Sequence, residues 1–110
     1  MPTPDDFANI DIRIGTILRA EPFPEAKKPA IRLLIDFGPG IGLKRSSAQI
    51  TVHYDPNALA GRQVAAVMNI GTRRIAGFVS EVLVLGALPQ PHEIILLAVD
   101  QPVPNGTPVG

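Results

Sequence analysis

Apolar and polar residues alternate with a period of two early in this chain, and short apolar runs divided by Gly and Pro follow. Ile10, Ile12 and Ile14 alternate with Asp11, Arg13 and Gly15, and Thr16, Ile17 and Leu18 carry the run on to Ala20. Successive side chains of a β-strand point to opposite faces, so this pattern predicts one long strand. Gly15 inside it predicts a sharp bend or bulge. Residues 21–30 hold Pro22, Pro24 and Pro29. They read as a loop, because proline cannot donate to a strand ladder, with Lys27 and Lys28 exposed at its end. Ile31 to Phe37 predicts a second strand, Gly38 to Gly42 a turn, and Lys44 to Ile50 a third strand. Gln63 to Met68, Glu81 to Leu85 and Glu93 to Val99 predict further apolar strands. Helix signals are slight: Thr3 can cap a short helix with Pro4, Asp5 and Asp6 in its first turn. Asp55-Pro56 before Gly61 predicts a single capped helical turn. Residues 102–107 form a turn-bearing tail.

Five or six short strands, a bent first strand and only short helices predict a mainly β fold. The expected form is an OB-fold, a five-stranded Greek-key barrel with short flanking helices; a small sandwich is the alternative. At 110 residues there is room for one domain with a modest core. The absence of cysteine excludes disulfides, thiol nucleophiles and thiolate metal sites. The acidic N-terminus lacks the pattern of a signal peptide, and no apolar run approaches the ~18 residues of a membrane span. A cytoplasmic protein without membrane insertion is expected.

Charge changes the picture by its distribution. The net formal charge is zero. Residues 1–36 carry five basic and six acidic side chains, and residues 81–110 carry three acids and no Lys or Arg. Residues 37–80 carry five basic side chains against Asp55 alone, a net of +4. An ordinary solvated surface accounts for that excess on charge alone; a positive face that steers an anion is the alternative.

Two segments concentrate the candidate chemistry. Lys44, Arg45, Ser46, Ser47, Ala48, Gln49 and Ile50 form one; Asn69 followed by Arg73, Arg74, Ile75, Ala76 and Gly77 forms the other. They combine cations, hydroxyls and an amide with no internal acid, which suits gripping phosphate and ribose, or a peptide backbone. Ser46 and Ser47 must leave a strand on opposite faces, so one can meet a ligand while the other satisfies a backbone group. Asn69 is either a ligand contact or a turn residue bonding its own backbone. Adjacent Arg73 and Arg74 have no evident core role, and an Arg fork suits phosphate or carboxylate; Gly77 would permit close backbone approach. Arg13 and Asp11 read as a surface pair.

Catalytic and metal signals are missing. His53 and His92 have no metal-ligand spacing, the turn at Gly38–Gly42 lacks the Lys-Ser/Thr of a phosphate loop, and no triad or carboxylate pair stands out. Asn105-Gly106-Thr107 reads as a plain turn. No cofactor and no enzymatic activity are expected. Four Phe, one Tyr and no Trp give poor capacity for stacking bases. An extended peptide or a structured RNA read through its backbone fits better, with Phe23 and Tyr54 as the exposed apolar groups that a peptide would meet.

The run Asp11-Ile12-Arg13-Ile14-Gly15-Thr16-Ile17 resembles the opening strand of tRNA-binding OB domains. Such domains are appended to methionyl- and phenylalanyl-tRNA synthetases and occur in endothelial-monocyte-activating polypeptide. Ser46 to Ile50, Arg73 to Phe78 and Ser80 to Gly86 resemble one branch more closely, the free-standing CsaA proteins, called both tRNA-binding proteins and export-related chaperones. The resemblance runs from about Phe7 to Gly110 and implies a single tRNA-binding-type OB domain over residues 1–110, assembled as a homodimer. It implies Lys44, Ser46, Ser47, Asn69, Arg73 and Ser80 on the face associated with tRNA, beside Arg45 and Arg74. The broader pattern has Gly and Met after the serine, where this chain has Glu81 and Val82. That departure sets a carboxylate beside the basic face and favours the CsaA branch. The implied function is a secretion-related chaperone that holds unfolded or preprotein segments and cooperates with the secretion motor; tRNA binding is the alternative. The apolar runs Val82–Leu88 and Ile94–Val99 serve either as core strands or at a dimer seam.

Overall fold

The alternating run from Ile12 becomes β1, Ile12–Pro22, in the computed structural model, which describes all 110 residues. The other strands are β2 (Ile31–Asp36), β3 (Leu43–Ala48), β4 (Gln63–Val67), β5 (Arg73–Ile75), β6 (Phe78–Ser80), β7 (Leu83–Val84), β8 (Gly86–Gln90) and β9 (Glu93–Leu96). A five-stranded antiparallel sheet runs β3-β2-β1-β4-β7, with β5-β6 and β8-β9 as separate two-stranded sheets. The five-stranded sheet curls until β3 meets residues 80–82, which nearly closes an OB-type barrel. Ile17, Ile31, Leu33, Ile35, Phe37, Ile50, Leu59, Val64, Ala66 and Val82 fill it as one apolar cluster. No helix is long and apolar enough to cross a membrane.

The helical signals hold. Helix α1, Pro4–Ala8, begins in a capping box: the Thr3 N–H donates to Asp6 Oδ2 at 2.8 Å and the Asp6 N–H to Thr3 Oγ1 at 3.3 Å. Asp55 caps the 3-10 turn Pro56–Ala58. Leu59, just beyond that turn, is fully buried in the barrel.

Gly15 does not make the bulge. The register of β1 against β2 slips between Ile17 and Arg19, so Leu18 is the extra residue. Gly15 instead permits close packing: a Cβ there would lie 2.7 Å from Ile35 Cγ2 and from two ring carbons of Phe37. Gly77 also differs from expectation. It does not bring backbone into close approach; with Ala76 it forms the two-residue turn between β5 and β6, at φ of +83° and +46°. Positive φ at both central residues matches the twist of a tight hairpin.

The expected strand at Glu81–Leu85 shortens to Leu83–Val84. The apolar residues after it leave the barrel to form β8–β9. Neither Phe23 nor Tyr54 is an exposed apolar group. Phe23 is 4% exposed and sits edge-on to Phe78, with ring centroids 5.5 Å apart. Tyr54 packs against the core, its hydroxyl accepting from the Leu96 N–H at 3.0 Å and its ring lying under Arg62.

The tail is part of the sheet's edge. The Ile14 N–H donates to Thr107 O at 3.0 Å, Gly106 to Ile14 O at 2.7 Å and Val109 to Ile12 O at 2.9 Å. These bonds cover the side of β1 not taken by β4 and leave no open edge there. Asn105 latches the strap, its Oδ1 accepting from Thr16 Oγ1 at 2.7 Å and Gln63 Nε2 at 3.2 Å. Arg13 joins it by donating to Gly106 O at 3.1 Å while pairing with Asp11 at 2.7 Å.

Replacing Gly15 by Ala overpacks this wall, a change of about 1–3 kcal/mol in the destabilising direction. Urea unfolding of Gly15→Ala is expected to show a lower midpoint at an unchanged slope.

Candidate functional site

Strand β3 carries Lys44, Arg45, Ser46 and Ser47, and alternation decides their roles. Ser46 points inward and is 1% exposed; its hydroxyl donates to Val82 O at 2.9 Å. Ser47 points outward, while its backbone N–H donates to Ser80 Oγ at 3.0 Å. Ser80 is 9% exposed. The Glu81 N–H donates to Arg45 O at 2.7 Å. The hydroxyls of Ser46 and Ser80 therefore join the two edges of the barrel, and only Ser47 offers its side chain outward.

The two cations of β3 are not free. Glu81 Oε1 accepts from the Arg45 backbone N–H at 3.1 Å and lies 3.6 Å from Arg45 Nε, while Oε2 lies 3.9 Å from Lys44 Nζ. The Arg45 guanidinium also stands over the Phe78 ring at 5.5 Å. Asn69 is engaged elsewhere. Its Oδ1 accepts from the Asp11 N–H at 2.9 Å and its Nδ2 donates to Asn9 O at 2.7 Å, which ties the start of β1 to the end of β4.

Arg73 and Arg74, on the exposed strand β5, make no ion pair within the chain. They line a cleft of about 430 Å³ together with Ser47, Gln49, Ile75, Ala76 and the loop residues Glu25, Ala26, Lys27, Lys28 and Ala30. Lys27 and Lys28 are the cations that the two-segment reading passed over. They arrive because the proline loop folds back: the Phe23 N–H donates to Ala30 O and the Ala26 N–H to Phe23 O, each at 3.2 Å. The Phe23 ring then anchors the loop against Phe78 of β6, with the Arg32 guanidinium 5.2 Å from its centre. The contact of buried Phe23 with half-buried Phe78 thus brings Lys27 and Lys28 to the same cleft as Arg73 and Arg74. Four cations face one carboxylate, Glu25, and they can bind phosphate or carboxylate groups by charge-assisted hydrogen bonds.

Strand β5 pairs with β6 alone, so its other edge lies open beside this cleft. A second exposed feature is apolar: Ile95 and Leu97, two residues apart at the end of β9, are 36% and 46% exposed, and Leu88 of β8 is 61% exposed.

A family model described as "Putative tRNA binding domain" matches residues 12–108. The crystal structure of the chaperone CsaA from Bacillus anthracis str. Ames is similar with a TM-score of 0.95 at 51% identity, covering 100% of this chain and 99% of that one. The CsaA chaperone protein from Picrophilus torridus is similar with a TM-score of 0.92 at 44% identity over 100% of both chains. A methionine--tRNA ligase of Bacteroides fragilis is 37% identical over 83 residues, which are 76% of this chain and 12% of the ligase. The match to that enzyme is therefore to one small part of it. The chain belongs to the CsaA family, within the wider family of tRNA-binding domains.

The seam geometry separates two adjacent serines. Ser46→Ala leaves the Val82 carbonyl without its buried donor and is expected to lower stability by about 1–3 kcal/mol. Ser47→Ala keeps its backbone bond to Ser80 and is expected to change stability by less than about 0.5 kcal/mol. Thermal melts of the two variants check this contrast.

Proposed function

We propose that this protein is a chaperone of the CsaA type that holds extended polypeptide, without catalysing a reaction. The observation that carries the reading is the open edge of β5 running beside a cleft. An extended segment can add to such an edge by backbone hydrogen bonds, which select for extended chain rather than for sequence. Similarity over the full length to two proteins named as CsaA chaperones supports the same reading. The exposed Leu88, Ile95 and Leu97 are the apolar groups that would add affinity or face a second copy in a homodimer. They take the part that Phe23 and Tyr54 cannot. The wider reading, a cytoplasmic homodimer passing preprotein to the secretion motor, rests on the family resemblance.

A second reading is favoured by Lys27, Lys28, Arg73 and Arg74, which face the cleft without ion-pair partners. Four such cations suit the phosphate backbone of a tRNA, and the match to the tRNA-binding domain model supports it. Of the contact residues expected from the sequence, Arg73, Arg74 and Ser47 line this cleft. Lys44, Arg45, Ser46, Asn69 and Ser80 already have partners within the chain.

Fluorescence anisotropy with labelled tRNA, at low and physiological salt and with an unfolded polypeptide as competitor, tests both readings. Polypeptide binding that changes little with salt is expected, and it should weaken when Ile95 and Leu97 are made polar. Binding of tRNA is expected to be weaker and steeply salt-dependent, and to fall at least about tenfold in Arg73→Ala/Arg74→Ala. An unfolded polypeptide that fails to bind at any salt concentration would refute the chaperone reading. A double arginine variant that keeps its tRNA affinity would refute the assignment of the cleft.

A further inference from the structure

The barrel wall beside the cleft is balanced by its own acids. Glu21 lies 3.4 Å from Arg19 Nε and 3.2 Å from Arg32 Nη2, and Glu81 lies within 3.9 Å of both Lys44 and Arg45. Glu81 differs from Glu21 in also accepting a backbone N–H, that of Arg45, at 3.1 Å. One backbone N–H, one guanidinium and one ammonium converging on an oxygen pair is the set of donors that a phosphate group recruits. Here the oxygens belong to the chain itself. The Glu81 side chain is 29% exposed, against 35% for Lys44 and 49% for Arg45, so it is half-buried beneath two cations that solvent and an incoming anion can both reach.

We infer that Glu81 is a resident anion that occupies a phosphate site at the barrel seam and thereby sets the protein's discrimination against polyanions. The inference rests on the second reading, that the face carrying the cleft accepts anionic groups. A phosphodiester must displace or repel the carboxylate before Lys44 and Arg45 can contribute, so these cations release no counterions when RNA binds. Arg73 and Arg74, with no such partner, are left to do so. Removing the charge of Glu81 while keeping its oxygen acceptor converts the seam into a second contact for RNA.

Glu81→Gln makes that change, because the amide oxygen can still accept from Arg45. With fluorescein-labelled total tRNA in anisotropy titrations, Glu81→Gln is expected to bind about tenfold more tightly at low salt. The slope of log K against log salt is expected to steepen by about 1–2, one increment for each cation released to the RNA. Affinity for an unfolded polypeptide is expected to stay within about twofold. Lys44→Ala is expected to change the tRNA affinity of the otherwise unaltered protein by less than about twofold, but to remove much of the gain in the Glu81→Gln background.

Unchanged affinity and slope in a folded Glu81→Gln protein would overturn the inference. So would a Lys44→Ala loss of equal size in both backgrounds, since Lys44 would then already be free to bind. Lys44 makes none of the seam hydrogen bonds, and a loss of tRNA affinity well beyond twofold on Lys44→Ala in the otherwise unaltered protein overturns the inference even if Glu81→Gln does not fold. Loss of tRNA binding in Arg73→Ala/Arg74→Ala, with no gain in Glu81→Gln, sinks this inference and leaves the cleft assignment standing. The reverse pair of results sinks the cleft assignment and supports the role of Glu81.

Discussion

The closure of the barrel between β3 and residues 80–82 is the constraint on which the rest of the molecule depends. The sheet order leaves β3 and β7 as its two edges, and an open sheet of this size would leave the apolar cluster wet. Closure is made by the Glu81 N–H to Arg45 O bond, by Ser46 Oγ to Val82 O, and by the Ser47 N–H to Ser80 Oγ. Each such bond adds about 0.5–1.5 kcal/mol net, but loss of one partner at a buried position costs more than its presence contributes. Serine suits the seam because it is small enough to let two backbones approach and still offers a hydroxyl. The same closure fixes β6, and through β6 it positions the hairpin that carries Arg73 and Arg74.

Much of the barrel was legible in the sequence because its signals are local. Alternation located β1, the runs between Gly and Pro turns located β2, β3 and β4, the proline cluster located the loop, and Thr3 and Asp55 marked the caps. The two-faced fate of Ser46 and Ser47 followed from strand geometry alone. The partner of each could not, because Ser46 and Val82 stand 36 residues apart and closure is a property of the folded sheet. Phe23 shows the same limit. Flanked by Pro22 and Pro24, it reads as an exposed loop residue, and only Phe78 and Arg32, which approach it in space, bury it. Gly15 was recognised as special for the wrong reason. Its sequence position could not reveal that the Phe37 ring needs the space.

Electrostatics changed most on folding. Counted by segment, residues 37–80 carry a net of +4 and residues 81–110 a net of −3. The fold mixes these segments, so Glu81 from the acidic one sits on Lys44 and Arg45 from the basic one. Lys27 and Lys28, from a segment with a slight acidic excess, join Arg73 and Arg74 instead. A count along the chain therefore found a positive segment but missed Lys27 and Lys28, two of the four cations that line the cleft. Ion pairs at exposed positions contribute little to stability. Their consequence here is to decide which cations remain available to a partner.

The surfaces available for binding ride on elements that the barrel must hold from outside. An isolated two-stranded hairpin is marginal in water, and both β5–β6 and β8–β9 are of that kind. Phe78 fastens the first to Phe23 and so to β2, where Arg32 covers the ring. The second is fastened by the Leu96 N–H to Tyr54 and by His53 Nε2, 2.8 Å from Glu93 Oε1. Of the five aromatic residues that a generic single-strand binder could offer for stacking, Phe37 is in the core, Phe23, Phe78 and Tyr54 hold hairpins, and Phe7 alone is exposed, at 48%. Besides Phe7, what remains exposed is an open strand edge, a set of unpaired cations and a number of aliphatic side chains. That inventory suits the recognition of backbone and charge better than the recognition of bases.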